Sequence, residues 1–217
     1  VVATDRHVQA EHALGHGRVR GAAGRNEQES ERSGRTSLRL DVQLRAASPW
    51  LELVLQVDWC QRHELLRLEI PLAAPAQRWA ADTSGGVLER PADAVTAREQ
   101  ARWEVPVISW LASVAAGGGG LAVLLDGPQG VSASPAELGV SLLRAPTWPD
   151  PGADNGDQRL RLALLPCPMG WSSGQVPQQA VAARSSLRPG WKTMWRGSST
   201  LRAATNWLST VPTGEPR

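Results

Sequence analysis

The fold is decided by residues 36–57, TSLRLDVQLRAASPWLELVLQV. Apolar side chains occupy every second position from Leu38 to Leu44 and again from Leu51 to Val57, with mostly charged or amide side chains between them. A period of two is typical of a strand with one buried face and one solvated face. Because a Ser48-Pro49 turn separates the two runs, the stretch predicts two antiparallel neighbours.

Further strands are predicted outward from this pair. The same alternation returns at Leu66–Ile70, Leu138–Leu142 and Leu160–Leu164. Trp79–Thr83 and Val87–Glu89 flank Gly85-Gly86 and predict a hairpin. The continuous apolar run Leu121–Leu125 predicts a central strand that is buried on both faces.

Two segments have a different character. Trp103–Ile108 contains Pro106, which places a short strand at a sheet edge or a bulge, and Val176–Arg184 is a candidate short helix. With about eight to ten short strands and little helical period, the chain is predicted to be all-β, an antiparallel β-sandwich. We expect a polar, largely flexible lead-in over 1–35, the sandwich core over 36–189 and a loosely structured tail or further strand over 190–217.

Composition excludes several classes of protein. The 217 residues carry 23 basic and 21 acidic side chains, a net charge of +2, so a phosphate-tracking nucleic-acid surface is not indicated. No apolar run reaches the roughly 20 residues of a membrane helix. Val1–Ala13 lacks the apolar core of a signal peptide, so we expect a cytoplasmic protein. The chain begins at Val1 rather than Met, as a piece of a longer or processed product would.

Metal-binding and nucleophile motifs are weak. His12 and His16 stand four residues apart, with His7 nearby, but a solvated polar segment explains them better than a metal site. Gly117–Gly120 lacks the Lys-Ser/Thr ending of a phosphate-binding loop. Cys60 and Cys167 allow one bridge or two free thiols. A Ser/His/Asp triad would have to use His63, and we do not favour one.

The most informative stretch for function is residues 142–157, LLRAPTWPDPGADNGD. A strand runs into a loop stiffened by three prolines, which presents one indole and three carboxylates. These are Trp148, Asp150, Asp154 and Asp157. An indole stacks on the C–H face of a sugar and carboxylates accept its hydroxyl groups, so we identify these four as candidate substrate-binding residues. The alternative is a structural loop whose Asp side chains cap turns.

Six pieces of the sequence, in order, resemble the C-terminal β-sandwich region of the family 38 glycoside hydrolases, the α-mannosidases. The 142–157 stretch is similar to the family's "LLRSPT-PDP-ADQG". The other pieces are Val57-Asp58-Trp59 ("VDW"), Glu64–Arg67 ("LLK"), Gly86 with Glu89-Arg90-Pro91 ("G-IERPT"), Glu104-Val105-Pro106 with Trp110 ("FEVPAHRW"), and Gly120–Asp126 with Gly130 ("GVALLND-KYG"). The resemblance covers roughly Thr36 to Pro189 and implies a galactose-mutarotase-like supersandwich.

The chain departs from the family pattern at several polar positions. Ala112 stands in place of an Asp, and Pro128 and Gln129 replace the Lys and Tyr of "KYG". Gln158 and Cys167 stand where the family has His. The chain is therefore a divergent member, and contacts made by those family side chains do not carry over.

The resemblance implies a function for a larger assembly. Family members are retaining exo-α-mannosidases whose zinc ion, nucleophile and acid/base carboxylate sit on an upstream α/β barrel. Retaining chemistry needs a nucleophilic carboxylate and a proton donor, and no motif for a metal or catalytic residue is visible here. We therefore expect no catalytic residue, metal or cofactor in this chain, with zinc on the missing barrel.

The expected partners follow from the same resemblance. They are α-mannoside glycans and the upstream barrel of the same polypeptide, with no nucleic acid, no membrane, and a homo-oligomer allowed. Alone, the chain is predicted to be inactive and to expose an apolar surface where the barrel would dock.

Two other functions are open. One is a stand-alone carbohydrate-binding or structural sandwich without catalytic activity. The other, which we favour least, is a small hydrolase using Asp154 and Asp157 as its own carboxylate pair.

Overall fold

The computed structural model describes residues 6–14, 36–46, 48–186 and 208–212, and of 6–14, 186 and 208–212 the backbone alone. Its strands pair antiparallel throughout and form two sheets that enclose one apolar core. The predicted all-β antiparallel sandwich is confirmed. The described residues contain thirteen strands, more than the eight to ten expected, and three short helices.

The larger sheet has eight strands in the order β1-β2-β3-β12-β9-β8-β5-β6. Their bounds are β1 (Arg6–Leu14), β2 (Thr36–Leu44), β3 (Leu51–Trp59), β5 (Ala76–Thr83), β6 (Gly86–Pro91), β8 (Trp110–Ala115), β9 (Gly120–Leu125) and β12 (Gly156–Cys167). The opening pair of runs forms β2 and β3, and β5 with β6 is the predicted Gly85-Gly86 hairpin.

The smaller sheet has five strands in the order β13-β4-β11-β10-β7. Their bounds are β4 (Glu64–Pro71), β7 (Val105–Val107), β10 (Gln129–Ala133), β11 (Glu137–Arg144) and β13 (Leu208–Pro212). The Pro106 segment is an edge strand, as predicted, but it is shorter than expected and leaves Trp103, Glu104 and Ile108 outside it.

The core lies between the inner faces of the sheets. Leu53, Leu55 and Val57 of β3 face inward, and Leu66 and Leu68 come from the opposite sheet. β9 lies inside the larger sheet and its last four residues are buried, which confirms the predicted central strand. Burying apolar surface at roughly 25 cal/mol per Å² is the main stabilising term for such an interior.

Helices cover part of the larger sheet's outer face. They are α1 (Ala97–Gln100), α2 (Gly170–Ser173) and α3 (Val176–Ser186), of which α2 and α3 pack on the sheet and α1 does not. The third is the predicted Val176–Arg184 helix, two residues longer. None of the described helices is long and apolar enough to cross a membrane.

Two strands fall outside the predicted core. β1 lies within the expected lead-in and pairs with β2, and β13 lies within the expected tail and pairs with β4. His7 and His12 both lie on β1, whereas His16 and the rest of the lead-in and tail lie outside the described residues. The boundaries at 35 and 190 stay predictions.

Candidate functional site

The candidate site is the loop from Ala145 to Asn155, at one end of the sandwich. It joins the end of β11 to the start of β12, beside the turn between β3 and β4. Trp148 stands on this loop with 82% of its surface exposed and precedes a cis peptide bond to Pro149. The loop therefore presents an indole to solvent.

Backbone hydrogen bonds fix the base of the loop. Ala145 N–H donates to the Glu64 carbonyl over 2.8 Å, and its own carbonyl accepts from His63 N–H over 2.7 Å. Arg144 N–H donates to the Asp154 carboxylate over 2.8 Å. Among the described residues the Arg144 guanidinium makes no ion pair, so the contact at the loop base is made by the backbone N–H.

An amide side chain fixes the far arm of the loop. Asn155 Oδ1 accepts from Gln61 N–H over 3.1 Å, and Asn155 Nδ2 donates to the Gln61 carbonyl over 3.4 Å. Gln61 Nε2 in turn donates to Thr36 Oγ1 over 2.9 Å. This chain of bonds ties the loop to the β3–β4 turn and to the first residue of β2.

The four predicted residues are only partly brought together. Asp150 Oδ1 accepts from Gly152 N–H over 2.9 Å, which is the turn-capping contact of the structural alternative. Asp154, with a φ of 60°, shares the loop with it and with Trp148. Asp157 lies instead on β12, directly opposite Asp58 on the sheet's outer face, and its carboxylate has no hydrogen-bond partner within the described part of the chain.

The sequence analysis did not single out one titratable group at this end of the sandwich, the carboxyl group of Glu64. Burial raises the pKa of the Glu64 carboxyl above its usual value, and the neighbouring His63 opposes that shift. Glu64 is the first residue of β4. The alternating pattern of that strand marks its buried apolar residues and gives no sign that the Glu64 carboxyl is also partly buried. Asn155 and Gln61 were missed as a pair because 94 residues separate them.

Comparison with known proteins shows the family. The model of the glycosyl hydrolases family 38 C-terminal domain matches residues 19–152. The chain belongs to this family. The resemblance seen in the sequence is confirmed, and the match takes in Trp148 and Asp150 but ends before Asp154 and Asp157.

Curated relatives of this family 38 domain are alpha-mannosidases. Alpha-mannosidase 2C1 of Homo sapiens is 31% identical over 155 residues, 71% of this chain and 15% of that protein. Alpha-mannosidase G of Dictyostelium discoideum is 29% identical over 134 residues, 62% of this chain and 12% of that protein. The chain thus spans 15% or less of the length of these relatives.

Solved structures share the fold. A family 38 glycosyl hydrolase from Enterococcus faecalis superposes with a TM-score of 0.56 at 16% identity, over 70% of this chain and 18% of that chain. An alpha-mannosidase from the same organism gives a TM-score of 0.58 at 17% identity.

The acidic, histidine and cysteine side chains that are described in this family 38 domain lie too far apart to form a metal site. Within the described ranges, no three His, Cys, Asp or Glu side chains come together to hold a metal ion. The residues present there do not fit a zinc ion. Gln158, at a position where the family has His, donates to the Asp154 carbonyl over 3.1 Å and so supports the loop.

Proposed function

We propose that this family 38 domain serves an exo-acting, retaining α-mannosidase, with a zinc-bearing catalytic barrel in the same polypeptide. The family match and the alpha-mannosidase relatives support this assignment. The chain's small share of those relatives' length leaves room for a catalytic domain elsewhere.

The observation that carries the site is the exposed indole of Trp148 on an anchored loop. An anchored loop loses little entropy when a ligand binds, so an indole held there is prepared for stacking on a sugar. Asp157, whose carboxylate is free of described partners, and the second oxygens of Asp150 and Asp154 can accept sugar hydroxyl groups. We propose that this loop forms one wall of the sugar pocket.

The role of the domain is binding and orientation. Retaining hydrolysis needs a nucleophile and a proton donor about 5 Å apart across the scissile bond. Asp154 is committed to the Arg144 N–H at the loop base, and Asp157 lies on the strand opposite Asp58. We therefore assign both carboxylates to sugar contact rather than to bond cleavage.

The test is Trp148→Ala in the native gene product, with hydrolysis of an aryl α-mannoside measured over a range of concentrations. We expect KM to rise about ten-fold, the equivalent of about 1.4 kcal/mol of stacking, with a small change in kcat. Met169→Ala is the matched control, because Met169 is 76% exposed and lies outside the loop. An unchanged kcat/KM in Trp148→Ala would remove the loop from the sugar pocket.

The stand-alone carbohydrate-binding sandwich is the second candidate, and the exposure of Trp148 also fits it. Intact mass of the native product separates the two. A product several times heavier than 23.3 kDa supports the enzyme domain. A product near that mass supports the stand-alone sandwich, and glycan binding by the chain should then disappear in Trp148→Ala.

A further inference from the structure

The larger sheet has a notch beside β12. Strand β9 ends at Leu125, opposite Leu162, whereas the part of β12 from Gly156 to Arg161 pairs with β3 alone. After β9 the chain turns at 126–128 and crosses to β10 in the smaller sheet. One edge of β12 is therefore left without a neighbouring strand in the described structure.

The backbone groups of that edge point into the notch. Leu125 N–H donates to the Ser109 carbonyl over 2.7 Å, on the side away from β12. The direction of hydrogen bonding alternates along an antiparallel strand. Ala163 therefore bonds to β9, and Arg161 and Arg159 direct their N–H and C=O groups to the same side. Since no described residue bonds to those groups, the edge offers donors and acceptors to a ligand.

Behind the notch lies a cleft of about 220 Å³, which we call the β12 cleft. Leucines of three strands form its apolar floor: Leu125, Leu142, Leu160 and Leu162. The volume is below the roughly 300–1,000 Å³ of clefts that hold drug-sized ligands. The β12 cleft thus suits one small ring with an apolar face rather than a nucleotide or another large cofactor.

Polar side chains stand at the rim of the β12 cleft. Gln129 shares one face of β10 with the fully buried Val131, so its amide lies on the core side of the smaller sheet. That amide has no hydrogen-bond partner in the described part of the chain. The Arg161 guanidinium lies 3.9 Å from the Asp126 carboxylate at the notch, so these two charges compensate each other.

The composition of the β12 cleft favours a neutral ligand rich in hydroxyl groups. A hydroxyl group both donates and accepts, and the backbone edge, the Gln129 amide and the Asp126 carboxylate offer both kinds of partner. An anion would meet Asp126, and a cation would meet Arg161. The Arg159 side chain lies on the outer face of the sheet, opposite Gln56. A sugar ring, with a C–H face for the leucines, meets these conditions.

We propose that the β12 cleft binds a further sugar ring of the glycan whose terminal mannose lies against the Trp148 loop. This inference rests on the proposed function, because the glycan is the substrate assigned there. Strand β12 links the two places. It begins at the end of that loop, carries Asp157, and reaches the cleft at 159–161, roughly 7–13 Å further along the strand. Gln129 stands where the family pattern has the larger Tyr.

The experiment compares two substrates of the native gene product: α-linked mannotriose, and α-mannosyl fluoride, which has a single ring. Gln129→Tyr should fill the cleft and lower the ratio of kcat/KM for mannotriose to kcat/KM for the fluoride about ten-fold. Gln129→Ala leaves the cleft open but removes the amide, and should lower the ratio about five-fold. Gln77→Tyr is the matched control and should keep the ratio, because Gln77 is exposed on β5, which β8 separates from β9.

The outcomes separate this inference from the proposed function. An unchanged ratio in both Gln129 variants, or an equal fall in Gln77→Tyr, overturns the sugar site and leaves the mannosidase function intact. A native product that hydrolyses neither substrate overturns the proposed function. Calorimetry then decides the inference: mannotriose binding that disappears in Gln129→Tyr supports the cleft, and no binding overturns it.

Hydrogen exchange tests a different occupant of the same edge. Mannotriose should slow exchange of the Arg159 and Arg161 backbone amides in the native product, because the sugar hydroxyl groups bond to that edge. Amides that are already protected without the sugar would mean that an extended protein segment pairs with β12 there. That result would overturn the sugar site.

Discussion

The outer faces of the two sheets are both built on small residues, but they are covered differently. On the larger sheet Ala80, Ala112, Ala122 and Ala163 are fully buried in the cluster that includes the apolar side chains of α3. On the smaller sheet Gly130 and Gly139 leave room for the carboxylate of Glu104 and the guanidinium of Arg67. Small apolar residues thus allow a helix to pack on the sheet. Glycines that face serines instead leave room for a charged side chain to lie along the sheet surface.

The two coverings differ in what they contribute to stability. The helix layer removes apolar surface from water, which is worth about 25 cal/mol per Å². The Arg67–Glu104 pair is partly solvated, with side chains 14% and 32% exposed, so its net value is modest. We therefore expect burial beneath α2 and α3 to contribute more to the free energy of unfolding than the contacts on the outer face of the smaller sheet.

The largest effect should come from the helix-covered face. Trp110 is buried there and packs against Trp171 of α2, with ring centroids 5.4 Å apart. Trp110→Ala should lower the free energy of unfolding by about 3–5 kcal/mol, measured by urea denaturation. Trp148→Ala, the matched exposed indole, should change it by less than about 0.5 kcal/mol. Equal losses of unfolding free energy in the two variants would contradict the larger contribution assigned to the helix-covered face.

The next effect tests the polar face. A Cβ at Gly139 would lie 2.6 Å from Ser132 Oγ and would collide with the Arg67 guanidinium. Gly139→Ala should cost about 1–3 kcal/mol, as an overpacked site does. Because the clash is with a flexible side chain, much of that cost should disappear when Arg67→Ala is already present.

Gly127→Ala is the control for this cycle, since no atom lies within 4 Å of a Cβ there. It should be nearly neutral in both backgrounds. If the losses in free energy of unfolding caused by Gly139→Ala and Arg67→Ala are additive, Gly139 is not needed to make room for the Arg67 guanidinium.

The contrast also explains which elements could be predicted from sequence. β2, β3 and β12 each pack one face against the core and keep polar side chains on much of the other, so their alternation is visible. β8 carries Leu111 inward and Ala112 outward under the helices, and both are apolar, so the period is lost. β13 lies in a stretch whose apolar residues have no clear period, and only its pairing with β4 defines it.

The candidate site was predictable in its local contacts and not in its distant ones. The turn-capping bond of Asp150 spans two residues, so the Asp-Pro-Gly sequence signals it. The Asn155–Gln61 pair depends on how the β3–β4 turn meets the loop, which only the folded topology brings about. The bond from the Arg144 backbone N–H to the Asp154 carboxylate spans ten residues, and neither side chain's position in the sequence signals it.

The smallest expected effect is on the pH dependence of stability, and it again compares a residue covered by the helices with one that they leave uncovered. Cys167 is 1% exposed beneath the helix layer, and burial raises the pKa of its thiol above the usual 9.0. The folded state therefore holds the thiol proton more tightly than the unfolded state. That contribution is fully present below the unfolded pKa and is lost as the pH rises through the folded one. Urea denaturation from pH 8 to pH 10.5 should show stability falling above about pH 9.

Cys167→Ala should flatten that alkaline slope, whereas Cys60→Ala should leave it unchanged because Cys60 is only half-buried. Labelling with a thiol reagent at pH 8 adds an independent readout. Cys60 should react first and Cys167 only as α2 and α3 lift from the sheet, since the thiolate is the reactive form. Equal labelling rates for Cys60 and Cys167 would mean that α2 and α3 do not exclude solvent from the alanine-lined face. The proposed difference between the outer faces of the two sheets would then be wrong.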